Sequence, residues 1–441
     1  MPLLYMPIEI TARELDSRLL IAIFAVRSGL EVLTGPKWLI QKNARWMPKG
    51  FWMFKTLTPG DAKYMKRIAR LGHRITAIDE EMPGLAESKQ QLLWVNDQAV
   101  EVAEAIFCMG ENHASAMAKK YPNHTEKLIV TGNPRWDFLR PELRKVYQED
   151  CAKIKEKYGR IILINTNIGG LNNARASQEA LLRGQQRDGR IDLNRKEDRE
   201  YIAAGIEWEK ANFAAMAPLA RRLAAEFKDH LIVLRPHPTE KTEPYQQALE
   251  GEERVKIIRE GPAAVWLSAA ELLVHTGCTT GSEAFALGQT SISFETIPSA
   301  MHSHLLSTAL SAIAKSEDQV IDLAKKILNC EVDREADAKR RATFNNFFAA
   351  QTGAFAAERI AEYLAKSLSA QTTHFGPTWK PGLFFRRRWY ATKFQRDIFS
   401  SLTATDLTQR LQMFAQTLGD LPVPAVNQVG DGLFHFYPSR G

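Results

Sequence analysis

Two polar strand ends lie close together in the sequence, within Leu231–Gly288, and their residue types suit an anionic ligand. One apolar run ends in Arg235–Pro238, and a second ends in His275–Ser282 before a short helix. Ligands of open α/β sheets bind beyond the carboxyl ends of the strands. A loop of Gly, Thr and Ser at a helix N-terminus offers N–H groups, hydroxyls and a favourable dipole to an anion. The pattern predicts a phosphate-bearing nucleotide pocket; the alternative is two ordinary strand ends with turn residues.

Within the first strand end, His237 is the residue most suited to contact a ligand. Prolines on both sides of it fix the backbone and remove N–H groups, so the imidazole is held in place. A further apolar run, RIILINTNIGG, breaks into amides and glycines and adds Asn167 to the same group of strand ends.

Acidic residues end an earlier strand, ITAIDEE, at Asp79, Glu80 and Glu81. Such carboxylates are able to act as a general base, and the alternative is a solvated loop that holds nearby Arg or Lys. Arg13 and Lys55 are candidates to bind an anionic acceptor, or are surface salt-bridge partners.

Composition places the chain among soluble globular proteins. It has 441 residues, of which 45% are hydrophobic and 25% charged, enough for two domains. No apolar run reaches the roughly 18 residues of a membrane span, and the N-terminus lacks the pattern of a secretory signal. The four cysteines are scattered, which favours reduced thiols and a cytoplasmic location. The net charge of +7 is moderate and no nucleic-acid-binding motif is present, so we expect no nucleic-acid partner.

Apolar runs alternate with helical periods, which predicts mostly parallel sheets. A charged helical stretch, Arg140–Tyr158, marks the expected domain boundary. We expect an N-terminal Rossmann-like acceptor domain at 1–150, a C-terminal Rossmann-like nucleotide-donor domain at 151–369 and a basic, aromatic extension at 370–441. The long polar segment Leu171–Arg199 is interpreted as a mobile lid or a surface insertion. The sequence predicts that Glu335–Leu368 is helical.

The extension combines cations with aromatic rings, in LFFRRRWYATKF. Arg386, Arg387, Arg388 and Lys393 would suit an anionic membrane surface; the alternative is a tail that packs across the two domains. Thr403–Leu418 is amphipathic, and the last residues are expected to be poorly ordered.

Several familiar motifs are absent from the sequence. It has no G-x-G-x-x-G after a strand, no Walker loop, no G-x-S-x-G and no Asp-x-Asp. His302 and His304 lack nearby carboxylates, which is more typical of polar loop or helix residues than of a metal site. We therefore expect no metal and no other cofactor. Two Rossmann-like halves with an anion pocket in the second half are typical of enzymes that use nucleotide sugars, and a helix dipole with cations stabilises a leaving phosphate without a metal.

The order of several motifs resembles the bacterial surface carbohydrate biosynthesis protein family. The matching segments are RELDSRLLIA (Arg13–Ala22), IDEEMPG (Ile78–Gly84), VTGNPRWDFLRPE (Val130–Glu142), INTNIGG (Ile164–Gly170), RPHP (Arg235–Pro238) and HTGCTTGSEAFALG (His275–Gly288). The resemblance covers roughly Pro7–Leu310 and not the extension. That family is similar to GT-B glycosyltransferases, near capsule Kdo transferases, bacterial sialyltransferases and CDP-glycerol glycerophosphotransferases. The resemblance implies an α/β, GT-B-like fold of two Rossmann-like parallel-sheet domains facing a cleft, plus a C-terminal helical extension.

The resemblance also implies roles for individual residues. An HP dipeptide and a Ser/Thr-rich loop before a helix are similar to the CMP-binding pair of sialyltransferases and Kdo transferases. His237 would then contact the cytidine phosphate or ribose, the loop hydroxyls would bind the phosphate, and Glu283 would accept from ribose hydroxyls. The expected nucleotide-binding residues are Asn167, Arg235, His237, His275, Thr276, Gly277, Thr279, Thr280, Gly281, Ser282 and Glu283. The expected catalytic residues are Asp79, Glu80, Glu81 and His237. Met82 and Pro83 interrupt the acidic motif before its glycine.

These observations predict a metal-independent glycosyltransferase of capsule or lipopolysaccharide synthesis. Its donor would be a nucleotide sugar, with a CMP-linked ulosonic acid such as Kdo or a sialic-type sugar favoured, and its acceptor a glycan or lipid-linked glycan. The alternatives are a CDP-glycerol glycerophosphotransferase, a UDP-sugar-dependent GT-B enzyme, and a noncatalytic nucleotide-binding subunit of a polysaccharide assembly complex. The expected location is the cytoplasm, at the inner face of the cytoplasmic membrane if the extension binds lipid.

Overall fold

The computed structural model describes residues 1–80, 92, 95–187, 191–298, 305–331, 333–369 and 402–439. The described residues form two compact units. The first takes those of Met1–Met82, Trp94–Val146 and Asn345–Gly441, and the second those of Pro83–Leu93 and Tyr147–Phe344. The boundary after Val146 lies close to the expected boundary at 150, whereas residues after Phe344 group with the first unit rather than with the predicted domain 151–369.

The strands and helices of the described residues follow in chain order. The strands are β1 (Leu3–Ile8), β2 (Glu31–Pro36), β3 (Gly50–Phe54), β4 (Arg74–Ile78), β5 (Ala105–Cys108), β6 (Leu128–Val130), β7 (Arg160–Asn165), β8 (His230–Arg235), β9 (Val255–Ile257), β10 (Leu272–His275), β11 (Ile292–Phe294), β12 (Ala312–Ala314), β13 (Ala425–Gly430) and β14 (Leu433–Tyr437). The α-helices are α1 (Thr11–Arg27), α2 (Lys37–Asn43), α3 (Pro59–Arg70), α4 (Asp97–Val102), α5 (Glu111–Lys120), α6 (Pro134–Asp137), α7 (Gln148–Tyr158), α8 (Gln178–Arg187), α9 (Lys196–Glu226), α10 (Glu243–Ala248), α11 (Ala263–Ala269), α12 (Thr280–Ala286), α13 (Leu306–Ala309), α14 (Glu317–Leu328), α15 (Arg334–Phe347), α16 (Ala356–Ser369) and α17 (Ala404–Thr417).

The first unit is built on one sheet with the strand order β13-β14-β2-β1-β3-β4-β5-β6. Strands β1 to β6 are parallel. Every residue of β1 and of β3 is buried, as expected for parallel strands covered on both faces. The order reverses at β1, so the loops after β1 and β3 lie at the switch point of this sheet.

The end of the chain completes this first sheet, and the expectation of a poorly ordered terminus is wrong. β14 pairs antiparallel with β2, with Phe436 opposite Val32, and β13 forms a hairpin with it. Helix α17 confirms the predicted amphipathic helix, and the Arg410 guanidinium lies 2.6 Å from Asp16 on α1. Leu433, Phe434 and Phe436 of β14 are all buried, and their apolar side chains cover an edge of the sheet that would otherwise be exposed.

The second unit contains a six-stranded sheet with the order β12-β11-β10-β7-β8-β9. All of its pairs are parallel. Numbered within the unit, this is the 3-2-1-4-5-6 order of a dinucleotide-binding fold, whose switch point lies between β7 and β10. Helices α9 and α14 supply the apolar core on one face of the sheet, and α7 and α11 supply it on the other. Both units are therefore Rossmann-like, and the predicted α/β class with two Rossmann-like parallel-sheet domains is confirmed. The extension is not purely helical as predicted, because β13 and β14 follow α17.

Two other segments differ from their sequence interpretation. The polar segment Leu171–Arg199 contains helix α8, and α9 begins within it at Lys196. The predicted helix Glu335–Leu368 is two helices, because Ala350 and Gly353 both adopt positive φ angles, 60° and 69°, which an α-helix does not accept.

Candidate functional site

The predicted strand ends meet at the switch point of the second sheet. Strand β7 ends at Asn165. The strands on either side of it, β8 and β10, end at Arg235 and His275, and both of these residues pair in register with Asn165. The three loops that follow therefore begin at the same edge of the sheet. In open α/β sheets this edge holds the ligand.

A fully buried carboxylate, Glu240, ties the first two of these loops together. It accepts hydrogen bonds from the Thr166 hydroxyl at 2.9 Å and the Ile168 N–H at 2.8 Å, both in the loop after β7. From its own loop it accepts from the His237 N–H at 3.3 Å, and from α10 it accepts from the Tyr245 hydroxyl at 2.6 Å. Sequence reasoning missed this residue. The signal was a carboxylate three residues after His237, at the spacing that allows a side chain to cap a turn.

The imidazole of His237 is oriented by its neighbour Thr239. The Thr239 N–H donates to Nδ1 at 3.3 Å, and the Thr239 hydroxyl lies 2.7 Å from the same nitrogen. Nδ1 is thus an acceptor, which places the proton of the neutral ring on Nε2. Gly169 is required nearby, since a Cβ there would lie 2.5 Å from the Thr239 hydroxyl. Asn167–Gly170, here called the NIGG loop, therefore closely approaches the side chains of the loop that follows β8 and contains His237 and Pro238, here called the HP loop.

The loop after β10 is joined to the loop after β7. The Asn167 N–H donates to the Thr276 hydroxyl at 3.0 Å, and its side-chain amide donates to the Gly277 carbonyl at 3.2 Å. The Asn165 amide donates to the Thr280 hydroxyl at 3.0 Å. Gly277 adopts a φ of 62°, where glycine is favoured, and turns the chain towards α12. Four residues of the predicted site are thus brought together, namely Asn167, Thr276, Gly277 and Thr280.

His275 lies inside the second unit and supports the loop from beneath. It is fully buried, its Nε2 lies 2.9 Å from the Ser311 hydroxyl, and burial lowers its pKa to about 3. Gly281 packs on the ring, because a Cβ there would lie 2.3 Å from Nε2. The structure therefore places His275 and Gly281 beneath the loop, where they fix the start of α12.

The other predicted nucleotide-binding residues differ in exposure. Thr279 is exposed at the start of α12, whereas Ser282 is fully buried and Glu283 is 9% exposed. The Arg235 guanidinium donates to the Glu260 carbonyl at 2.7 Å and to the Gly261 carbonyl at 2.9 Å. These bonds direct Arg235 towards the loop after β9, and burial lowers its pKa to about 10.

In the first unit, the acidic strand end lies in a cluster of buried charges. Asp79 and Glu80 are 5% and 2% exposed, and Glu80 forms an ion pair with Arg18 at 2.7 Å. Arg13 donates to the Glu80 carbonyl at 3.0 Å. Burial acts to raise the pKa of Glu80, but nearby cations, Arg18 first among them, hold it below its usual value.

A second buried carboxylate, Glu14, belongs to the same cluster and was not predicted. It accepts from the backbone N–H groups of Glu9 and Ile10 at 3.0 and 3.1 Å, and lies 3.5 Å from the Lys55 ammonium. Burial and then the charge of Glu80 raise its pKa. Glu14 lies within the matched RELDSRLLIA segment, so a carboxylate at the start of a helix was the signal that sequence reasoning did not use.

Some predicted residues lie outside the described part of the chain. These are Glu81, His302, His304, Arg386, Arg387, Arg388 and Lys393. Among the residues that the structure describes, no group of three or more His, Cys, Asp or Glu side chains is placed to hold a metal ion. Across those same ranges, none of the helices combines the length and apolar character needed to traverse a lipid bilayer.

Comparison with solved structures shows the fold. The chain matches an S. aureus MnaA–UDP co-structure with a TM-score of 0.52 and 14% identity, over 85% of this chain and 98% of that one. It matches a putative UDP-N-acetylglucosamine 2-epimerase from Listeria monocytogenes with a TM-score of 0.53 and 13% identity, over 84% and 96%. A Methanocaldococcus jannaschii UDP-GlcNAc 2-epimerase in complex with UDP-GlcNAc and UDP gives 0.50 and 12%, over 83% and 100%. The chain therefore has a GT-B-like fold.

Comparison with protein-family models and with curated protein sequences gave no match. The three structures named above are described with UDP or UDP-GlcNAc, or as a UDP-GlcNAc epimerase, and none with a CMP compound. The expected preference for CMP thus receives no support from them.

Proposed function

We propose that this chain is a glycosyltransferase of bacterial surface polysaccharide synthesis that uses a nucleotide sugar without a metal. The observation that carries the proposal is the set of three strand-end loops at the β7/β10 switch point, held together by Glu240 and by the bonds of Asn165 and Asn167. A Gly- and Thr-containing turn leads from there into α12, as anion-binding loops do.

In this proposal the second unit binds the donor. His237, with its proton on Nε2, donates a hydrogen bond to a phosphate oxygen, and Thr279 presents its exposed hydroxyl beside the first N–H groups of α12. Charge that develops on the leaving phosphate is stabilised by these donors, which are already in place and need little reorganisation.

The first unit supplies the acceptor site and the base in this proposal. Glu80 is a poor base, because its ion pair with Arg18 stabilises the carboxylate. Asp79 and Glu81 are therefore the candidates to accept the proton of the acceptor hydroxyl, and the cluster cations Arg13 and Lys55 are candidates to bind an anionic acceptor. The acceptor itself would be a glycan or lipid-linked glycan.

The sequence resemblance and the matched structures favour different donor nucleotides. The sequence resemblance favours a CMP-linked ulosonic acid, whereas the matched structures favour a UDP-sugar. Because those structures include UDP-GlcNAc 2-epimerases, epimerisation of a UDP-sugar is the second candidate function. An epimerase converts its UDP-sugar without any acceptor, and a transferase releases nucleotide only when it hydrolyses or transfers the sugar.

A thermal-shift panel of CMP, CDP, UDP and GDP tests the donor site. A ligand at 100 times its Kd adds about 2.7 kcal/mol to the free energy of unfolding. We expect a pyrimidine nucleotide to raise the Tm of the wild type and to lose most of that effect with His237→Ala. The matched control, His124→Ala in the first unit, should keep the nucleotide-induced rise in Tm. Stabilisation by GDP alone, or by none of the four, contradicts the proposal.

A product assay separates the two functions. The wild type is incubated with UDP-GlcNAc or a CMP-linked ulosonic acid, with and without glycan acceptors, and sugars and nucleotides are resolved by chromatography. Acceptor-dependent nucleotide release supports the transferase. An altered UDP-sugar formed without acceptor supports the epimerase, and nucleotide binding with neither product supports a noncatalytic subunit.

A further inference from the structure

A carboxyl group on α9, that of Glu209, lies against the glycine-containing loop of the second unit. Glu209 Oε1 accepts a hydrogen bond from the Gly170 N–H at 3.2 Å. A Cβ on residue 170 would lie 2.7 Å from Oε1 and 2.8 Å from Oε2, so a larger residue there would displace the carboxyl group. The carboxyl group is therefore packed directly on the backbone of the NIGG loop.

The same loop lies beside the proposed donor-binding side chains. A Cβ built on Gly169 would lie 2.5 Å from the Thr239 hydroxyl and 3.9 Å from His237 Nδ1. One glycine thus approaches His237, and the next one contacts Glu209. Both belong to the loop after β7, at the switch point where a ligand of this sheet binds.

The second oxygen of Glu209 indicates what the group does. Oε2 is buried and accepts no hydrogen bond of good geometry within the described ranges, although the Leu171 N–H lies near enough to the carboxyl group to affect its pKa. A buried carboxylate oxygen without a partner is costly, whereas a protonated carboxyl group in the same place has a hydrogen to donate. An anionic ligand oxygen is the acceptor that such a donor prefers.

We infer that Glu209 is a further donor-binding residue, whose carboxyl group donates a hydrogen bond to a phosphate oxygen of the nucleotide sugar beside the Gly169–Gly170 loop. This inference rests on the proposed nucleotide-binding function and extends it to a residue outside the three strand-end loops.

The environment of Glu209 supports a proton on the carboxyl group near neutral pH. Burial raises its pKa to about 7, the amide groups of Gly170 and Leu171 act in the opposite direction, and the negative charge of Glu240 raises it further. Glu240 is the charged group that faces Glu209 from the HP loop. A raised pKa means that the proton is bound below about pH 7 and lost above it.

The test is the pH dependence of donor binding by the full-length chain. UDP-GlcNAc and a CMP-linked ulosonic acid serve as probes, because their esterified phosphates do not titrate between about pH 6 and pH 8, and Kd is measured by calorimetry. For the wild type we expect Kd to rise about five- to tenfold over that range, since deprotonation removes a donor and adds a negative charge. Glu209→Gln keeps N–H donors at every pH, so its Kd should stay near the low-pH value of the wild type and lose this dependence.

Two further variants make the outcome decisive. Glu207→Gln, two residues earlier on the exposed side of α9, should retain the wild-type pH dependence. Glu209→Ala, which lacks any donor, should bind more weakly than Glu209→Gln at both pH values. If Glu209→Gln binds with the wild-type pH dependence, or binds as weakly as Glu209→Ala, the inference is wrong although the donor site stands. If none of the variants, including the wild type, binds either probe, both the inference and the proposed function are wrong.

Discussion

Glu240→Ala tests whether one buried carboxylate holds the strand-end loops. The side chain accepts from the Thr166 hydroxyl, the Ile168 and His237 N–H groups and the Tyr245 hydroxyl, at 2.9, 2.8, 3.3 and 2.6 Å. Bonds to a charged acceptor contribute about 1.5–3 kcal/mol each, but bonds that share one group are not additive. Removing one partner from a buried charged network costs about 3–5 kcal/mol. We expect the free energy of unfolding of the second unit to fall by about 4 kcal/mol.

Glu240→Gln is the informative companion, because it keeps the shape and removes the charge. Its amide oxygen still accepts from the Ile168 N–H, and the hydroxyls of Thr166 and Tyr245 are able to rotate and accept from the amide nitrogen. We expect a loss of about 1–2 kcal/mol. The exposed Glu243, at the start of α10, is the control, and Glu243→Gln should stay within about 0.5 kcal/mol of the wild type.

Thermal unfolding and nucleotide binding together provide the assay. For a unit of about 200 residues, 1 kcal/mol corresponds to about 2–4 °C in Tm. Glu240→Ala should therefore lower the Tm by about 10 °C, and Glu240→Gln by about 5 °C. A fall with Glu240→Ala no larger than that with Glu243→Gln would refute the reasoning, since the four donors would then be satisfied without the carboxylate.

Two further predictions concern packing and pH. Gly281→Ala should destabilise the second unit by about 1–3 kcal/mol, because its Cβ would lie 2.3 Å from His275 Nε2. The control is Gly184→Ala on α8, where nothing lies within 4 Å of the added Cβ, and it should be neutral or slightly stabilising. Equal Tm values for the two variants would contradict this account. His435, on β14, forms a hydrogen bond with the Glu31 carboxylate, and this bond lowers the pKa of Glu31. That contribution to stability is complete above the unfolded pKa of about 4.5 and is lost as pH falls through the lower, folded value. Glu31→Gln should therefore reduce the slope of Tm against pH below about pH 5, and an unchanged slope would contradict the assignment.

The sheets were predictable because their strands are short apolar runs that end in polar residues. RIILINTNIGG and ELLVHTG both became buried parallel strands with their polar residues at one edge of the sheet. A continuous apolar run indicates a strand buried on both faces, and the rule for parallel sheets then sets which strand ends share an edge. The grouping of Asn167, Thr276 and Thr280 therefore follows from the sequence alone.

What the sequence did not reveal depends on side chains that meet across loops. Glu240 looks like any exposed acidic residue in HPTEKTE, and its four donors come from two loops and from α10, which only the fold brings together. The terminal hairpin was missed for a related reason. Its strand FHFY pairs with β2, about 400 residues earlier in the chain, and no local pattern specifies a partner at that distance.

The burial of Glu240 itself argues that this edge of the sheet is a binding site. Desolvating a carboxylate costs several kcal/mol, and well-packed apolar residues of similar volume often serve stability as well or better. An apolar side chain would not, however, fix the directions of the Ile168 and His237 N–H groups. The buried charge of Glu240 lowers stability, but it fixes the geometry of two loops at a switch point. Residues that reduce stability in order to position other groups are expected at functional sites. On this argument, variants at Glu240 should weaken nucleotide binding more than their loss of stability alone accounts for, measured at a temperature where each variant remains folded.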